Sequence, residues 1–271
     1  MKFKILSLLA TLLLLTTYHA HADLVSEPPP PEFVTQLKAT AQKSYDSTYT
    51  LYYLKDARIG SAWVVKTIGF RGTVLITQAH CVLNEKTGTP RSNTWWIGHS
   101  SWDPEKRLLF SLLAYNSAKE KDVAILFSTE HYELNEIEIC AQAPRFSDPL
   151  IIMGNSPLLP PNTVLLGNFL SRVTIPGEKR DCYLTTNFTR AGCSGAPVLS
   201  LEGYVIGMVR GILFFSLNSF WTGQVTPQDY IIELLERSGI KPSLHTPTAH
   251  TFSNPAAREL NNLFYSPLLR P

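Results

Sequence analysis

The sequence predicts an all-β chain built on antiparallel barrels and closed by a C-terminal helix. Three observations point there. Short runs of Val, Ile, Leu, Thr, Tyr and Trp recur between glycine and proline punctuation, as antiparallel barrels require. Little helical periodicity separates them, and the one strongly amphipathic helix comes late. At 271 residues, 44% hydrophobic and 17% charged, the chain is long enough to bury one large core or two coupled smaller ones.

Taken in order, Lys2 and Lys4, the apolar run Ile5 to Leu15 and the small-x-small triplet Ala20-His21-Ala22 read as a cleavable targeting segment over 1–22. The run is too short for a comfortable membrane span, so an exported chain starting at Asp23 is expected, periplasmic or secreted, with no membrane contact after cleavage. Residues 23–46 read as a proline-rich leader, Glu27 to Pro31, and a short helix bearing Phe33, Leu37 and Ala41. That helix either packs on the outside of a barrel or leaves with a propeptide.

A first barrel is expected over about 47–130. Its strands are Thr48 to Leu54, Ser61 to Val65, Thr73 to Thr77, Trp95 to Ile97, Leu108 to Leu113 and the run headed by Asp122. A second, over about 135–225, draws on Leu150 to Met153, Thr163 to Leu166, Phe169 to Thr174, Cys182 to Thr186, Val198 to Leu199 and Val205 to Val209. Thr226-Pro227-Gln228-Asp229 should cap a helix over 227–238 with Tyr230, Ile231, Leu234 and Leu235 on one face, ending at Gly239. The tail, 241–271, is rich in Pro, Thr and Ser. Asn254-Pro255 offers a start for a short helix within it.

The chemistry centres on Thr189-Arg190-Ala191-Gly192-Cys193-Ser194-Gly195-Ala196-Pro197-Val198. A serine between glycines, followed by Ala-Pro and an apolar run, reads as a tight turn presenting a hydroxyl at the mouth of a buried strand. Glycine admits backbone conformations that other residues avoid. Missing side chains also let a carbonyl approach, with the N–H groups of Gly192 and Ser194 free to face a developing oxyanion.

A serine hydroxyl needs a base to become a nucleophile, and the base needs an orienting acid. His80 follows the apolar strand Val74 to Thr77, and Asp122 heads Val123-Ala124-Ile125-Leu126. The competing candidates are weaker: His99, in Gly98-His99-Ser100, has the profile of a surface residue, and Asp103 precedes a proline as turn residues do. Cys193 as nucleophile would slip the register to Ala-Gly-Cys-Ser-Gly. An α/β-hydrolase would need Gly-x-Ser-x-Gly and a histidine after the serine, whereas here Ala196 fills the last position and His80 comes first.

Together these pieces make the chain resemble the trypsin/chymotrypsin-fold serine peptidases. The match runs through Gly60-Ser61-Ala62-Trp63-Val64-Val65, Thr77 to Cys81, Asp122 to Leu126, Gly192 to Pro197 and Gly203-Tyr204-Val205-Ile206-Gly207. The economical loops are closer to bacterial periplasmic and secreted members than to digestive ones. The tail is too short for the peptide-binding domain that often follows in them. The resemblance implies two six-stranded antiparallel β-barrels and endopeptidase activity on polypeptides. It also implies catalytic His80, Asp122 and Ser194, with an oxyanion hole from Gly192 and Ser194, as in the Ser-His-Asp template. A catalytically silent binding protein on the same fold is the main alternative.

Cys193 departs from the digestive members, which carry an aspartate there to receive the new N-terminus of a cut zymogen. Activity is therefore expected not to depend on such a cut. The primary pocket implied by the resemblance involves Phe188, Thr189, Arg210, Gly211 and Ile212, with Gly223-Gln224 nearby. No acid stands at its floor, so a preference for Lys or Arg is not supported. A shallow apolar pocket for small or medium aliphatic side chains, or attraction of an acidic one to Arg210, is expected instead.

Export permits disulfides among Cys81, Cys140, Cys182 and Cys193, and their pairing stays open, a Cys182–Cys193 bond being the one that would distort the oxyanion loop. No Cys-x-x-Cys pair suggests zinc, and acyl transfer on this template implies neither metal nor organic cofactor. A net charge of +2 gives no signal for nucleic acid. The signal Asn187-Phe188-Thr189 is taken as chance, because a glycan there would obstruct the pocket.

Overall fold

A computed structural model describes residues 31–53, 57–99, 104–157, 163–175, 178, 180–187, 189–215 and 220–247. The expected targeting segment, the expected leader before Pro31, Asp103, Phe188 and the tail beyond 247 lie outside them. The main unit spans Gln36–Ser253. Of the remaining unit only residues 31–35 are described, the first turn of a helix in which Thr35 Oγ1 donates to the Pro31 carbonyl at 2.8 Å.

That helix, α1 (Pro31–Ser47), has 17 residues and runs directly into the first strand, so it is longer than the short helix expected. Within the main unit its Thr40 hydroxyl donates to the Leu201 carbonyl at 2.5 Å.

Six strands follow: β1 (Thr48–Tyr53), β2 (Ala57–Val64), β3 (Thr73–Thr77), β4 (Thr94–Gly98), β5 (Leu108–Tyr115) and β6 (Ala124–Ser128). They close into a barrel in the order β1-β2-β3-β6-β5-β4. β3 is buried along its whole length, which is why Val74-Leu75-Ile76 reads as an unbroken apolar run instead of an alternation. Leu51, Val64, Leu75, Trp95, Ile97, Phe110 and Leu126 fill the barrel. A one-turn helix, α2 (Ala79–Val82), hangs from the end of β3.

The second barrel contains β8 (Pro149–Ile152), β9 (Leu165–Thr174), β10 (Asp181–Thr185), β11 (Pro197–Ser200), β12 (Val205–Phe215) and β13 (Phe220–Pro227), preceded by β7 (Ile139–Cys140). A β11–β12 pairing closes the ring β11-β8-β9-β10-β13-β12. β7 and β14 (Leu244–His245) add to its β12 side as short parallel strands. Leu150, Ile152, Phe169, Tyr183, Val198, Ile206, Val209 and Val225 form its core. The fold is thus two six-stranded antiparallel barrels, as the sequence led us to expect. The two segments expected at 163–166 and 169–174 are one strand, β9, running through Gly167.

Helix α3 (Gln228–Arg237) buries Ile231, Leu234 and Leu235. Its N-cap is Pro227, with no side-chain cap. Thr226, expected to cap, exchanges hydrogen bonds with Gln78 instead, at 3.0 and 3.3 Å. Tyr230 sits at the edge of the apolar face, where its hydroxyl accepts the Asp181 N–H at 2.9 Å.

Candidate active site

His80 and Asp122 come from neighbouring strand ends of the first barrel. β3 pairs with β6 with Thr77 opposite Ala124, which sets the α2 turn against the residues just before β6. Ala79 N–H donates to the Asp122 carbonyl at 3.3 Å. His80 N–H donates to Asp122 Oδ1 at 2.9 Å, and His80 Nδ1 lies 2.9 Å from Asp122 Oδ2. One carboxylate therefore fixes both the backbone and the ring of the histidine, and with Asp122 ionised Nδ1 must carry a proton. Nε2 is left as the basic nitrogen of the neutral ring.

Asp122 is fully buried and has φ +56°. A non-glycine residue in the left-handed region costs about 1–3 kcal/mol and persists only where its surroundings enforce it. Here the Asp122 N–H returns to the Ser117 carbonyl at 3.1 Å, closing the turn that aims the carboxylate inward.

Ser194 comes from the second barrel. Its turn is shaped by Gly192 at φ +93° and Gly195 at φ +90°. At Gly195 a β-carbon would overlap the Ser61 carbonyl oxygen. Residue 61, from the first barrel, holds the turn: Ser61 N–H donates to the Ser194 carbonyl and Ser61 Oγ to the Gly192 carbonyl, both at 2.8 Å. Among the described residues, neither the Gly192 nor the Ser194 N–H donates to a backbone carbonyl. The Ser194 hydroxyl donates to the Arg210 carbonyl at 3.1 Å.

Burial works against charge on the His80 ring. The Cys81 sulfur and the Asp122 carboxylate outweigh it, holding the histidine well above its ordinary pKa. Two arginines also reach Asp122 Oδ2: Arg210 Nε, from a residue expected to line the pocket, at 3.1 Å, and Arg180 Nη1, which the sequence gave no reason to place here, at 3.5 Å. Arg210, where the sequence led us to expect attraction of an acidic substrate side chain, already has two acids as neighbours. Its guanidinium is committed to Asp122, to Gln224 Oε1 at 2.8 Å and to Glu178 Oε1 at 3.4 Å.

Of the other pocket residues, Thr189 is buried with its hydroxyl on the Gly211 carbonyl at 3.1 Å. A β-carbon on Gly211 would meet nothing within 4 Å, so that edge is open. Ile212 is half-buried beside it, and Phe188 lies outside the described residues. Asn187 is 2% exposed and its amide donates to the Leu165 carbonyl at 3.2 Å, which leaves a glycan no room.

All four cysteines are free and buried. No Cys182–Cys193 bond strains the Ser194 turn, and burial pushes the Cys193 thiol up. With no exposed surface, Cys193 is packed out of substrate reach. His99, expected at the surface, is half-buried with its ring 4.6 Å from that of Tyr49 and 5.6 Å from that of Tyr45.

Residues 60–208, more than half of the chain, match the family model described as a trypsin-like peptidase domain. Solved structures share the fold at low identity. Rv3671c of M. tuberculosis H37Rv, in the inactive form of a serine-to-alanine mutant, is 19% identical over 79% of this chain and 95% of its own, with a TM-score of 0.56. The serine endoprotease of Yersinia pestis is 16% identical over 74% of this chain, which spans 66% of that protein, at a TM-score of 0.57. The HtrA-type protease AlgW, solved with a tripeptide, is 18% identical over 73% of this chain, which spans 62% of AlgW, at 0.56. No curated protein sequence matches the chain.

Proposed function

The chain belongs to the trypsin-like peptidase family, and on that premise we propose that it is an exported serine endopeptidase working through His80, Asp122 and Ser194. The observation that carries this reading is the two-point grip of Asp122 on His80, at 2.9 Å to the backbone N–H and 2.9 Å to Nδ1. It leaves Nε2 free to act as a base, and the glycine-shaped turn presents Ser194 as the nucleophile of the proposed reaction.

In the proposed reaction the Ser194 hydroxyl leaves the Arg210 carbonyl by rotating about its own side-chain bond. Its oxygen attacks the scissile carbonyl while Nε2 takes its proton. The N–H groups of Gly192 and Ser194 stabilise the oxyanion. The tetrahedral adduct collapses, the amine leaves with the proton held on Nε2, and water hydrolyses the acyl-enzyme by the same route. An uncharged substrate side chain fits the open edge at Gly211, since the Thr189 hydroxyl and the Arg210 guanidinium are already bonded. The basic start and apolar run of residues 1–22 support export.

One observation favours a silent binding protein instead: the Ser194 hydroxyl rests on a carbonyl, not on the histidine. Mass spectrometry after a fluorophosphonate separates the readings. A single adduct on Ser194, kept in Cys193→Ala and lost in Ser194→Ala, is expected. No adduct on the wild type between pH 6 and pH 9 would reject the enzyme reading in favour of the binding one.

A further inference from the structure

We propose that Arg210 is a positioning residue that sets the pH at which His80 becomes a base, by dividing the Asp122 carboxylate between the imidazole and two guanidinium groups. The inference rests on the peptidase reading of this site.

Asp122 Oδ2 faces three nitrogens: His80 Nδ1 at 2.9 Å, Arg210 Nε at 3.1 Å and Arg180 Nη1 at 3.5 Å. The carboxylate is fully buried, and the side chains of Arg180 and Arg210 are 2% and 19% exposed. Solvent therefore screens these charges little. Glu178 closes the cluster, accepting Arg180 Nε at 2.7 Å and Arg210 Nη2 at 3.4 Å. Two arginines thus balance two acids, so the cluster is neutral when the imidazole is neutral and gains a charge when the ring is protonated.

Of the remaining neighbours, the Cys81 sulfur on α2 also favours the charged ring, but it is left in place by every substitution below, and Gln224 of β13 is uncharged. Lys121, next to Asp122 in the chain, is paired with Glu233 of α3. Arg210 also touches the far end of the triad, because its carbonyl accepts the Ser194 hydroxyl. One residue of β12 therefore meets both the acid and the nucleophile. Arg180 Nη1 and Nη2 make no hydrogen bond among the described residues, so that cation acts on Asp122 chiefly through its charge.

Removing the Arg210 charge returns the full carboxylate to the ring and makes the imidazolium easier to form. Removing the Glu178 charge leaves one cation uncompensated and makes it harder to form. Opposite signs from two neighbouring substitutions mark an electrostatic role that a merely structural one would not produce.

The test is an NMR titration of the His80 ring in the full chain carrying Ser194→Ala, which needs no turnover. Arg210→Met is expected to raise the His80 midpoint by about one pH unit, the usual size for a charge within a few ångströms. Arg210→Lys should bring it back towards the parent, and Glu178→Gln should lower it by less than Arg210→Met raises it. An unmoved midpoint in folded Arg210→Met, or a rise in Glu178→Gln, overturns the inference. If Arg210→Met does not fold, the sign in Glu178→Gln decides alone. Fluorophosphonate labelling of the Ser194 chain tests the peptidase reading separately, so failure of one is not mistaken for failure of the other.

Discussion

Introducing a methyl group at Gly154 tests whether Cys193 packs or reacts. A β-carbon there would stand 2.6 Å from Cys193 Sγ, 2.8 Å from its Cβ and 3.0 Å from its Cα. All three distances are inside van der Waals contact, and the turn behind Cys193 is pinned through Ser61 to the other barrel. Gly154→Ala should therefore cost about 1–3 kcal/mol by overpacking. Cys193→Ala deletes one fully buried sulfur, with a transfer loss of about 1 kcal/mol and a further cavity contribution. If the two side chains compete for the same space, the alanine at 193 relieves the nearest of the three clashes. The double variant should then be more stable than the sum of the singles by about 1 kcal/mol, within the range for residues in contact. The relief is partial because Cβ and Cα of residue 193 remain. Urea unfolding of the four proteins measures this, using midpoints at constant m-value. Additivity within about 0.5 kcal/mol would refute the packing account of Cys193.

Further outcomes follow from the site. Because the His80 pKa is raised, protonation of the ring stabilises the fold fully below the ordinary value of 6.5 and ceases to do so as pH rises through the higher folded value. The neutral base appears over that same upper range, so the fluorophosphonate labelling rate should climb with pH above 6.5; a half-maximum at or below that value contradicts the site electrostatics. Asp122→Asn should lower the labelling rate by about 10⁴, the loss the triad template gives when the imidazole tautomer is no longer enforced, and a loss under tenfold would remove Asp122 from the mechanism. Burial pushes the Cys182 thiol up to about 11, so at pH 8 it should resist iodoacetamide in the native protein while all four cysteines react after unreduced unfolding. Fewer than four modified residues would reveal a disulfide.

The parts of the fold that were legible from sequence are those whose burial is continuous or whose turns demand glycine. Thr73–Thr77 forms a strand with the bounds its apolar run suggests, because every residue of it is buried. Strand β12 runs on to Phe215, past the expected end at Val209, because the pairing with β13 shifts register at Arg210 and resumes with Gly211 opposite Gln224. Gly167 misleads in the same way. It looks like punctuation, yet it lies mid-strand because a β-carbon there would sit 2.6 Å from Asn187 Cγ. Strands β7 and β14, two residues each, have no local signal, and parallel pairing with neighbours far along the chain creates them. His80, Asp122 and Ser194 stand out as candidates through their settings at strand ends and in a glycine turn. Arg180, Arg210 and Glu178 were invisible as a group, since charged residues in unremarkable contexts are brought together only by the second barrel.

The grip of Ser61 on the serine turn bears on when the candidate site can first be complete. The turn belongs to one barrel and two of the hydrogen bonds that shape it come from a residue of the other. Neither half folded alone can hold the turn by these two bonds. On the proposed reading, the candidate site would therefore be complete only once both barrels have closed and docked.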